Sequence, residues 1–419
     1  MLRHVAACMF ALVLVATTGC NMLKPLPPSA PSGPTTGSVG VSYSFTTVSQ
    51  NPIYDSLSYR FDWGDGVTSP WGPMLAPGVP VTAQHAWNAA GSFSVRAQAR
   101  NRVGFGSDWS EPSLISISSQ AGYPDTVTAL LDGGSGPVGI AIDPLGQYLY
   151  VAARGGGELR VYRTSDNVLE SRIAVGGGAY CVCILPNGQK AYVPNVADAT
   201  VSVVRLSDRQ VTATVRVGDG SNFCAALPNS QYVYVSNKEA GTISVIRTSD
   251  DVVVSTFSVG QAPWNIVPTP DGQYLYISNS AGSTVTKVRV SDNTIVRTIP
   301  VNQCPEGMCL LPGGEYLYVA CRTYSESYVD VVRTSDDVVV SRIPIPGYVV
   351  EVVPLPGGEY VGYTTHESGE IGFISTATKQ VVWSTGSYSG CCYAAAMPGG
   401  NRMYVCALHE DHIVVVDRR

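Results

Sequence analysis

The chain has 419 residues, of which 45% are hydrophobic and only 14% are charged, and it is rich in Gly (43), Pro (28) and Tyr (23). Soluble proteins carry about 25% charged residues, so this balance is typical of an all-β protein with many turns and argues against a helical enzyme. The net charge of −6, without a basic cluster, argues against nucleic acid as a partner, because phosphate binding needs concentrated Lys and Arg.

Residues 1–19 are predicted to be a signal peptide, because the apolar run from Val5 to Val15 is too short to span a bilayer. The run leads to Thr17-Thr-Gly-Cys20, which resembles a bacterial lipobox and implies that Cys20 is lipidated. Thr17 departs from the aliphatic residue of that pattern, and the alternative is an ordinary cleaved signal with an incidental Cys. Residues 20–35 contain five prolines and are predicted to form an extended tether. We therefore expect an exported protein of the cell envelope, anchored in the membrane by lipid and lying in the periplasm or at the cell surface.

Residues 36–119 are predicted to form a small β domain of short alternating strands. The stretch Tyr59-Arg-Phe-Asp-Trp-Gly-Asp-Gly66, followed by His85-Ala-Trp87 and Gly91-Ser-Phe-Ser-Val95, resembles the PKD-domain pattern, although the Trp and Phe around Asp62 are exchanged. The resemblance implies an immunoglobulin-like β-sandwich that serves as a spacer or adhesion module. In the turn, Asp62 and Asp65 are expected to bond the local backbone, and calcium binding is the alternative.

Residues 120–419 contain seven copies of one unit, whose turn prolines lie 42, 42, 42, 42, 44 and 42 residues apart. One repeat, taken in order, holds an apolar strand, a Pro-x-Gly turn, a Tyr-x-Tyr-Val strand and two further strands joined at an Arg-Thr-Ser-Asp turn, with variants such as Arg205–Asp208 and Arg289–Asp292. This period and content predict a seven-bladed β-propeller. The Tyr pairs are expected to fill the wedge between blades, with carbohydrate stacking as the alternative.

The chain ends after the third strand of the seventh copy, so the missing fourth strand is expected from the start of the domain, at about residues 125–131. Such closure removes two free sheet edges. The unit resembles the YVTN family of β-propellers, in copies such as Pro270-Asp-Gly-Gln-Tyr-Leu-Tyr-Ile-Ser-Asn279. The resemblance implies an envelope protein, but related propellers occur in lactonases and redox enzymes, and fold alone does not choose among them.

Three features predict where function lies. The one insertion of the array, Arg322–Tyr328, predicts a ligand-binding loop through Arg322, Tyr324, Glu326 and Tyr328. A second feature is a candidate metal site formed by His366, His409, Glu410 and His412. A third is an inner-strand set expected at the mouth of the channel, which consists of Asn222, Trp264, Asn265, Glu306 and Glu351.

Nine cysteines lie between Cys181 and Cys406, and export would place them in an oxidising compartment. Counted from the turn proline of each copy, Cys304 and Cys321, and Cys392 and Cys406, fall nearly opposite each other. The spacing therefore predicts two cross-strand disulfides, and buried free thiols are the alternative.

The sequence shows no G-x-S-x-G elbow, no H-E-x-x-H and no phosphate-binding Gly loop. We therefore expect a monomeric scaffold that binds a protein or glycan at the envelope and uses no cofactor, apart from the candidate metal ion. The alternative is a propeller enzyme, either a metal-dependent lactonase-like hydrolase or a subunit of a periplasmic redox complex.

Overall fold

The computed structural model describes residues 24–38, 42–49, 56–87, 91–118, 123–322 and 326–418. The signal peptide and Cys20 lie outside these residues. Across the described ranges, no helix is long and apolar enough to cross a membrane. The chain divides into two compact units, the first up to residue 121 and the second from residue 122.

The first unit is a sandwich of two sheets. Its strands are β1 (Thr36–Ser38), β2 (Ser42–Thr47), β3 (Leu57–Asp62), β4 (Val81–Ala86), β5 (Gly91–Asn101) and β6 (Ser113–Ser118). One sheet has the order β1-β6-β5-β3 and the other pairs β2 with β4. Between them lies an aromatic core that includes Phe45, Trp63 and Trp87, all at most 2% exposed. The all-β sandwich expected from the alternating strands is therefore confirmed.

The Asp-rich turn after β3 is held by its own backbone. Asp62 Oδ1 accepts the backbone N–H of Gly64 (3.1 Å), and Asp65 Oδ1 accepts that of Val67 (3.0 Å). Gly64 has a φ of +78°, and a Cβ there would lie 2.7 Å from the backbone nitrogen of Ser94, so no other residue fits. The turn residues thus make the local hydrogen bonds that their sequence suggested.

The Pro-rich segment lies along the sandwich over its described part. The N–H groups of Ser29 and Ser32 donate to the carbonyls of Val48 and Thr46 at 2.9 and 2.7 Å, and Pro25, Pro28 and Pro31 are buried. The described part of the predicted tether, residues 24–35, is therefore extended and lies against the sandwich. The physical reason is that an extended strand-like segment can satisfy its backbone groups on an open sheet edge.

The second unit consists of seven four-stranded antiparallel sheets. The first three blades are β8–β11 (Pro137–Ile142, Tyr148–Ala153, Glu158–Arg163, Val168–Ala174), β12–β15 (Cys183–Ile184, Lys190–Asn195, Thr200–Arg205, Gln210–Arg216) and β16–β19 (Ser221–Ala226, Tyr232–Asn237, Thr242–Arg247, Val252–Ser258). The next three are β20–β23 (Pro263–Pro268, Tyr274–Asn279, Thr284–Arg289, Thr294–Pro300), β24–β27 (Pro305–Leu310, Tyr316–Cys321, Ser327–Arg333, Val338–Ile345) and β28–β31 (Val349–Pro354, Tyr360–Thr365, Glu370–Ser375, Gln380–Gly386). The first strand of each blade lines the centre of the ring.

The seventh blade closes the ring with a strand from the start of the domain. It consists of β32 (Cys391–Ala396), β33 (Arg402–Ala407), β34 (His412–Asp417) and the N-terminal β7 (Thr126–Asp132). β7 is antiparallel to β34, in a register that sets His412 opposite Asp132 and Asp417 opposite Thr126. β7 supplies the missing fourth strand, which confirms the predicted closure. Without β7, β34 would be a free sheet edge.

The Tyr that lies six residues after the turn Pro joins neighbouring blades in four of the copies. Tyr192, Tyr234 and Tyr276 are at most 2% exposed, and their hydroxyl groups donate to Asp251 (2.6 Å), Asn293 (3.2 Å) and Asp337 (2.9 Å) of the following blade. Each acceptor lies in the turn between third and fourth strands, with a φ between 55° and 57° for all three. Tyr404 makes the same bond to Asn167 across the closure, at 2.9 Å. These rings therefore fill the wedge between blades.

Removing one such hydroxyl is expected to destabilise the propeller measurably. Tyr276→Phe leaves the packing in place but deletes a bond to the carboxylate of Asp337, and hydrogen bonds to charged groups contribute about 1.5–3 kcal/mol. Lys287 Nζ remains 3.0 Å from Asp337, so we expect the lower end of that range in the free energy of unfolding measured with urea. Tyr274→Phe, at the less buried ring of the same strand, is the matched control and should change stability by less than half as much.

Two further repeated residues also serve the scaffold. The Asn that ends the second strand is fully buried and bonds the third strand, as when Asn279 Nδ2 donates to Thr284 Oγ1 (3.0 Å) and Thr286 Oγ1 (2.8 Å). The Arg of the Arg-Thr-Ser-Asp turn pairs with the Asp three residues on, as in Arg247–Asp250 at 2.6 Å. These pairs are exposed and add little stability.

Candidate functional site

A cavity of about 350 Å³ opens at one end of the central channel. Its lining comes from two sets of residues, one at or near the start of the inner strands and one in the loops that follow the second strands. Most of these residues lie either six positions before or ten positions after the turn Pro of their repeat, so the mouth is built mainly from two positions of the repeat. Because the repeats differ at these positions, the scaffold brings unlike side chains together around one opening.

Three cations rim this mouth, and each lies over an aromatic ring. Arg154 is 5.5 Å from the centroid of Tyr180, and Lys238 Nζ is 4.5 Å from that of Trp264. Arg322 is 4.5 Å from the centroid of Tyr348. Contacts of this kind are electrostatically favourable, and they hold long, flexible side chains at the rim.

The aromatic rings themselves form one cluster. The rings of Tyr180 and Trp264 meet edge to face at 5.9 Å, and Tyr180 and Tyr393 lie 6.2 Å apart. Trp264 Nε1 donates to the hydroxyl of Tyr393 at 2.9 Å. Edge-to-face packing and this hydrogen bond fix the rings, so the wall of the mouth is preformed.

Glu306 lies in the wall of the mouth, where Arg322 Nε is 3.2 Å from its Oε1. Burial raises the pKa of this carboxyl to about 7, against the opposing effect of Arg322 and Lys238. Burial dominates because the charged form loses its water, and the two cations recover only part of that loss. Near neutral pH, Glu306 therefore exists in both protonation states.

Deeper in the channel, a second cavity of about 250 Å³ is lined by Glu351 and Asn265. Burial raises the pKa of Glu351 well above its ordinary value, because the charged form loses its water. Its Oε1 accepts the backbone N–H of Val352 at 3.1 Å, whereas Glu351 Oε2 and Asn265 Oδ1 have no partner. Buried polar atoms in this state are usually satisfied by water or a ligand.

The predicted ligand loop is divided by the structure. Arg322 reaches the mouth of the channel, whereas the hydroxyl of Tyr328 donates to the carboxylate of Glu326. Tyr324 lies outside the described residues. The part of the predicted loop that the structure brings to the cavity is therefore Arg322.

The candidate metal ligands do not come together as a set. The rings of His366 and His409 meet edge to face at 4.9 Å, and burial, followed by His409, lowers the pKa of His366. Glu410 accepts the backbone N–H of Ser389 at 2.8 Å, and His412 begins β34 opposite Asp132. Within the described ranges, no three His, Cys, Asp or Glu side chains are placed to hold a metal ion.

All nine cysteines from Cys181 to Cys406 are free thiols in the structure. The predicted disulfides Cys304–Cys321 and Cys392–Cys406 are therefore not formed in it. Cys321 pairs with Pro305 and not with Cys304, whereas Cys392 Sγ lies 3.4 Å from the carbonyl oxygen of Cys406, as a thiol that donates to it. Burial raises the pKa of Cys406 well above its usual value, which keeps this residue in the thiol form.

Another cavity, of about 780 Å³, lies at the opposite end of the blades, between the first and the second. Its charged side chains already have partners in the structure, since Arg205 pairs with Asp208 at 2.5 Å and Lys190 with Asp251 at 2.8 Å. Arg209 also pairs, with Glu170, at 2.5 Å. This cavity therefore offers fewer uncommitted groups than the channel.

Three comparisons place this architecture among known proteins. A family model described as "Lactonase, 7-bladed beta-propeller" matches residues 139–312, which is less than half of the chain. The chain carries a seven-bladed β-propeller. A solved structure of Kuenenia stuttgartiensis Hydrazine Synthase is 17% identical, with a TM-score of 0.64, and the match covers 70% of this chain and 97% of that one. At this identity the likeness shows the fold alone. The comparison with curated proteins found no match.

Glu306 lies within the residues that the lactonase model matches, whereas Arg322 and Glu351 lie beyond them. Sequence reasoning selected Trp264, Glu306 and Arg322, and the structure places all three in the mouth. It missed Arg154, Lys238, Tyr180 and Tyr393. Their signal was present in the repeat register, since Arg154, Lys238 and Arg322 occupy one repeat position at spacings of two periods.

Proposed function

We propose that the protein is an exported, lipid-anchored component of the cell envelope, whose propeller binds a protein or glycan at the mouth of its channel. The lipobox-like sequence at Cys20 supports the anchor, and two acyl signals are enough to hold a protein at a membrane. The PKD-like sandwich would act as a stalk or contact module, and the YVTN-type repeats as a rigid disc.

The observation that carries this proposal is the preformed mouth. Arg154, Lys238 and Arg322 surround an aromatic wall in a cavity of about 350 Å³. Ligand sites have this form, because aromatic walls supply contact area and a few polar groups supply orientation. Binding requires only these groups, whereas catalysis requires an acid, a base or a metal that converge on a reacting atom.

The Cys20→Ser form lacks the acyl acceptor, and it is expected to take up no labelled palmitate. The same form can be used to capture the protein or glycan ligand from cell envelopes. A variant that also carries Arg154→Ala, Lys238→Ala and Arg322→Ala should lose at least nine-tenths of the captured ligand. The matched control replaces Arg247, Arg289 and Arg333 with Ala, since these lie in exposed turns at the other end of the blades. Equal capture by both triple variants would contradict the proposed site.

Lactone hydrolysis is the second candidate function, and two observations favour it. The family model matches residues 139–312, and Glu306, with its pKa near 7, lies beside Arg322. A carboxyl group with this pKa can serve as a general acid or base at neutral pH. Turnover of simple lactones that is lost in Glu306→Gln would favour this candidate over binding alone.

A further inference from the structure

We infer that the mouth takes a carboxylate carried on a six-membered ring, and that Arg322 binds this carboxylate in place of Glu306, which takes up a proton from solvent as the ligand enters. The inference rests on the proposed function, since it names the ligand class of the same site. The observation behind it is the ion pair between Arg322 and Glu306, which lies in a cavity lined by aromatic side chains and three cations.

Arg322 is placed to change partners. Its guanidinium carbon lies over the ring of Tyr348, 4.5 Å from the centroid, and Nε is the atom nearest to Glu306. Its side chain is 31% exposed, whereas that of Glu306 is 7% exposed, so an incoming anion reaches the guanidinium from the cavity side. An Arg has five N–H donors in a planar fork that matches a carboxylate, and one ligand carboxylate can therefore replace the contact with Glu306.

The charge of the mouth selects an anion. Arg154, Lys238 and Arg322 face two carboxylates in the lining, Glu306 and Glu367. Once Glu306 is protonated, only Glu367 opposes the three cations. A ligand that brings a negative charge restores the balance in a partly buried site, where charges interact more strongly than in water.

The shape of the mouth selects a ring. A volume of about 350 Å³ is near the lower limit of small-molecule sites, which is roughly 300 Å³. The wall is formed by Tyr180, Trp264 and Tyr393, whose flat faces and edges suit a planar ring or the C–H face of a sugar. A single ring with one carboxylate fits this combination of volume, wall and charge.

Glu306 is the group that exchanges the proton. Burial raises the pKa of this carboxyl to about 7, so part of the Glu306 population is protonated near neutral pH. Arg322 and Lys238 lower the pKa of Glu306. The carboxylate of a ligand then competes for Arg322 only with the ionised part of that population.

Burial raises the pKa of Tyr180 to about 12, and it also raises the pKa of Tyr393 and of Glu351. The charge of Glu306 adds to each of these three shifts. His366 also lines the mouth, and burial, followed by His409, lowers its pKa. The pKa of Glu306 lies between pH 6 and 8, and the Glu306→Gln variant separates its contribution from that of His366.

The test measures binding of galacturonate and benzoate by calorimetry to the Cys20→Ser full chain at pH 6 and pH 8, with galactose and benzyl alcohol as neutral analogues. At least one acid should bind about tenfold more tightly at pH 6, because protonated Glu306 falls about tenfold across this interval for a pKa near 7. Its neutral analogue should bind at least tenfold more weakly. The two acids distinguish a sugar acid from an aromatic acid as the source of the carboxylate.

Two variants decide the mechanism. Glu306→Gln should bind the acid with the same affinity at both pH values, because the side chain no longer titrates, and Arg322→Ala should lose binding at both. Arg247→Ala is the matched control and should behave as the parent. Failure of both acids to bind at pH 6, equal binding of a neutral analogue, or a pH effect that survives in Glu306→Gln would overturn the inference. If envelope capture still depends on the mouth in that case, the proposed function stands and only the ligand class is wrong.

Discussion

A chain that begins at Gly133 is expected to lose the cooperative unfolding transition of the propeller, whereas a chain that begins at Gly122 is expected to keep it. The shorter chain lacks β7, which supplies the outer strand of the seventh blade and pairs with β34 from His412 to Asp417. Without it, β34 becomes a free edge of unpaired N–H and C=O groups. The longer chain retains the whole second compact unit.

The loss extends to the first blade. The Asp132 carboxylate is 2.8 Å from Nη1 of Arg160, a residue whose side chain is 8% exposed. The backbone carbonyl of Asp132 accepts a hydrogen bond from the hydroxyl of Tyr162. Arg160 keeps Glu158 at 2.6 Å, so the larger loss comes from the apolar side chains of β7. These are Val127, Ala129 and Leu131, which pack against the core of the ring. Losing this apolar burial costs several kcal/mol. Because 1 kcal/mol shifts the melting temperature of a unit this size by about 2–4 °C, we expect a fall of at least ~10 °C or insoluble protein.

Calorimetry and size-exclusion chromatography of the two chains provide the measurement. A synthetic peptide of residues 123–132, added to the shorter chain, should restore part of the lost transition by pairing with β34. A scrambled peptide of the same composition is the control. If the chain from Gly133 melted at the temperature of the chain from Gly122, ring closure through β7 would not contribute to stability.

The free energy of unfolding is expected to fall by roughly 2–3 kcal/mol between pH 5 and pH 8 through Glu306 alone. The pKa of this carboxyl is raised from 4.5 to about 7 in the folded protein. The folded state therefore binds more protons than the unfolded state between these values, and stability decreases as the pH rises. Burial also raises the pKa of Glu351, which adds a loss of the same sign.

Other groups act outside this interval or in the opposite direction. The aspartates of the Arg-Thr-Ser-Asp turns, such as Asp166, have lowered pKa values because of their Arg partners, so their contribution is lost only as the pH falls below about 4. Burial and then His409 lower the pKa of His366, so this side chain favours folding as the pH rises through its unfolded pKa. A comparison of variants in the same buffers separates these effects.

Urea unfolding of the parent and of Glu306→Gln and Glu351→Gln at pH 5, 6, 7 and 8 provides the measurement. Each Gln keeps the shape of the side chain and cannot ionise, so each variant should lose part of the pH dependence, and Glu351→Gln should be more stable than the parent at pH 8. Glu315→Gln, in the turn between the first and second strands of the fifth blade, is the control and should follow the parent. A parent whose stability rises from pH 5 to pH 8 would contradict the raised pKa values.

Much of the fold follows from patterns that are local in the chain. The prolines from Pro144 to Pro398 mark seven units, and alternating apolar residues give four strands to each. The closing strand was predictable because Val127-Thr-Ala129 repeats Val211-Thr-Ala213 two periods earlier. The bulges in the inner strands were not predictable, because a bulge adds one residue to a strand whose residues are mostly apolar and so does not change the hydrophobic pattern.

The site was only partly predictable. Arg322 was found because it borders an insertion, and Glu306 because a carboxylate is unusual in an apolar inner strand. Arg154 and Lys238 looked like ordinary loop residues. The three cations are separated by 84 residues each along the chain, and they become neighbours because a closed ring turns each blade's loop toward one opening.

The sequence by itself determined the all-β class, the number of blades, the closing strand and the scaffold role of the Tyr and Asn of each repeat, because these depend on periodicity and on residues that recur. Only the tertiary structure decided which of the non-recurring residues meet. It separated the candidate metal ligands, left the cysteines as thiols and joined Glu306 to Arg322 beside an aromatic wall. The physical reason is that burial and charge at the mouth arise from several blades at once, and no single stretch of the chain records them.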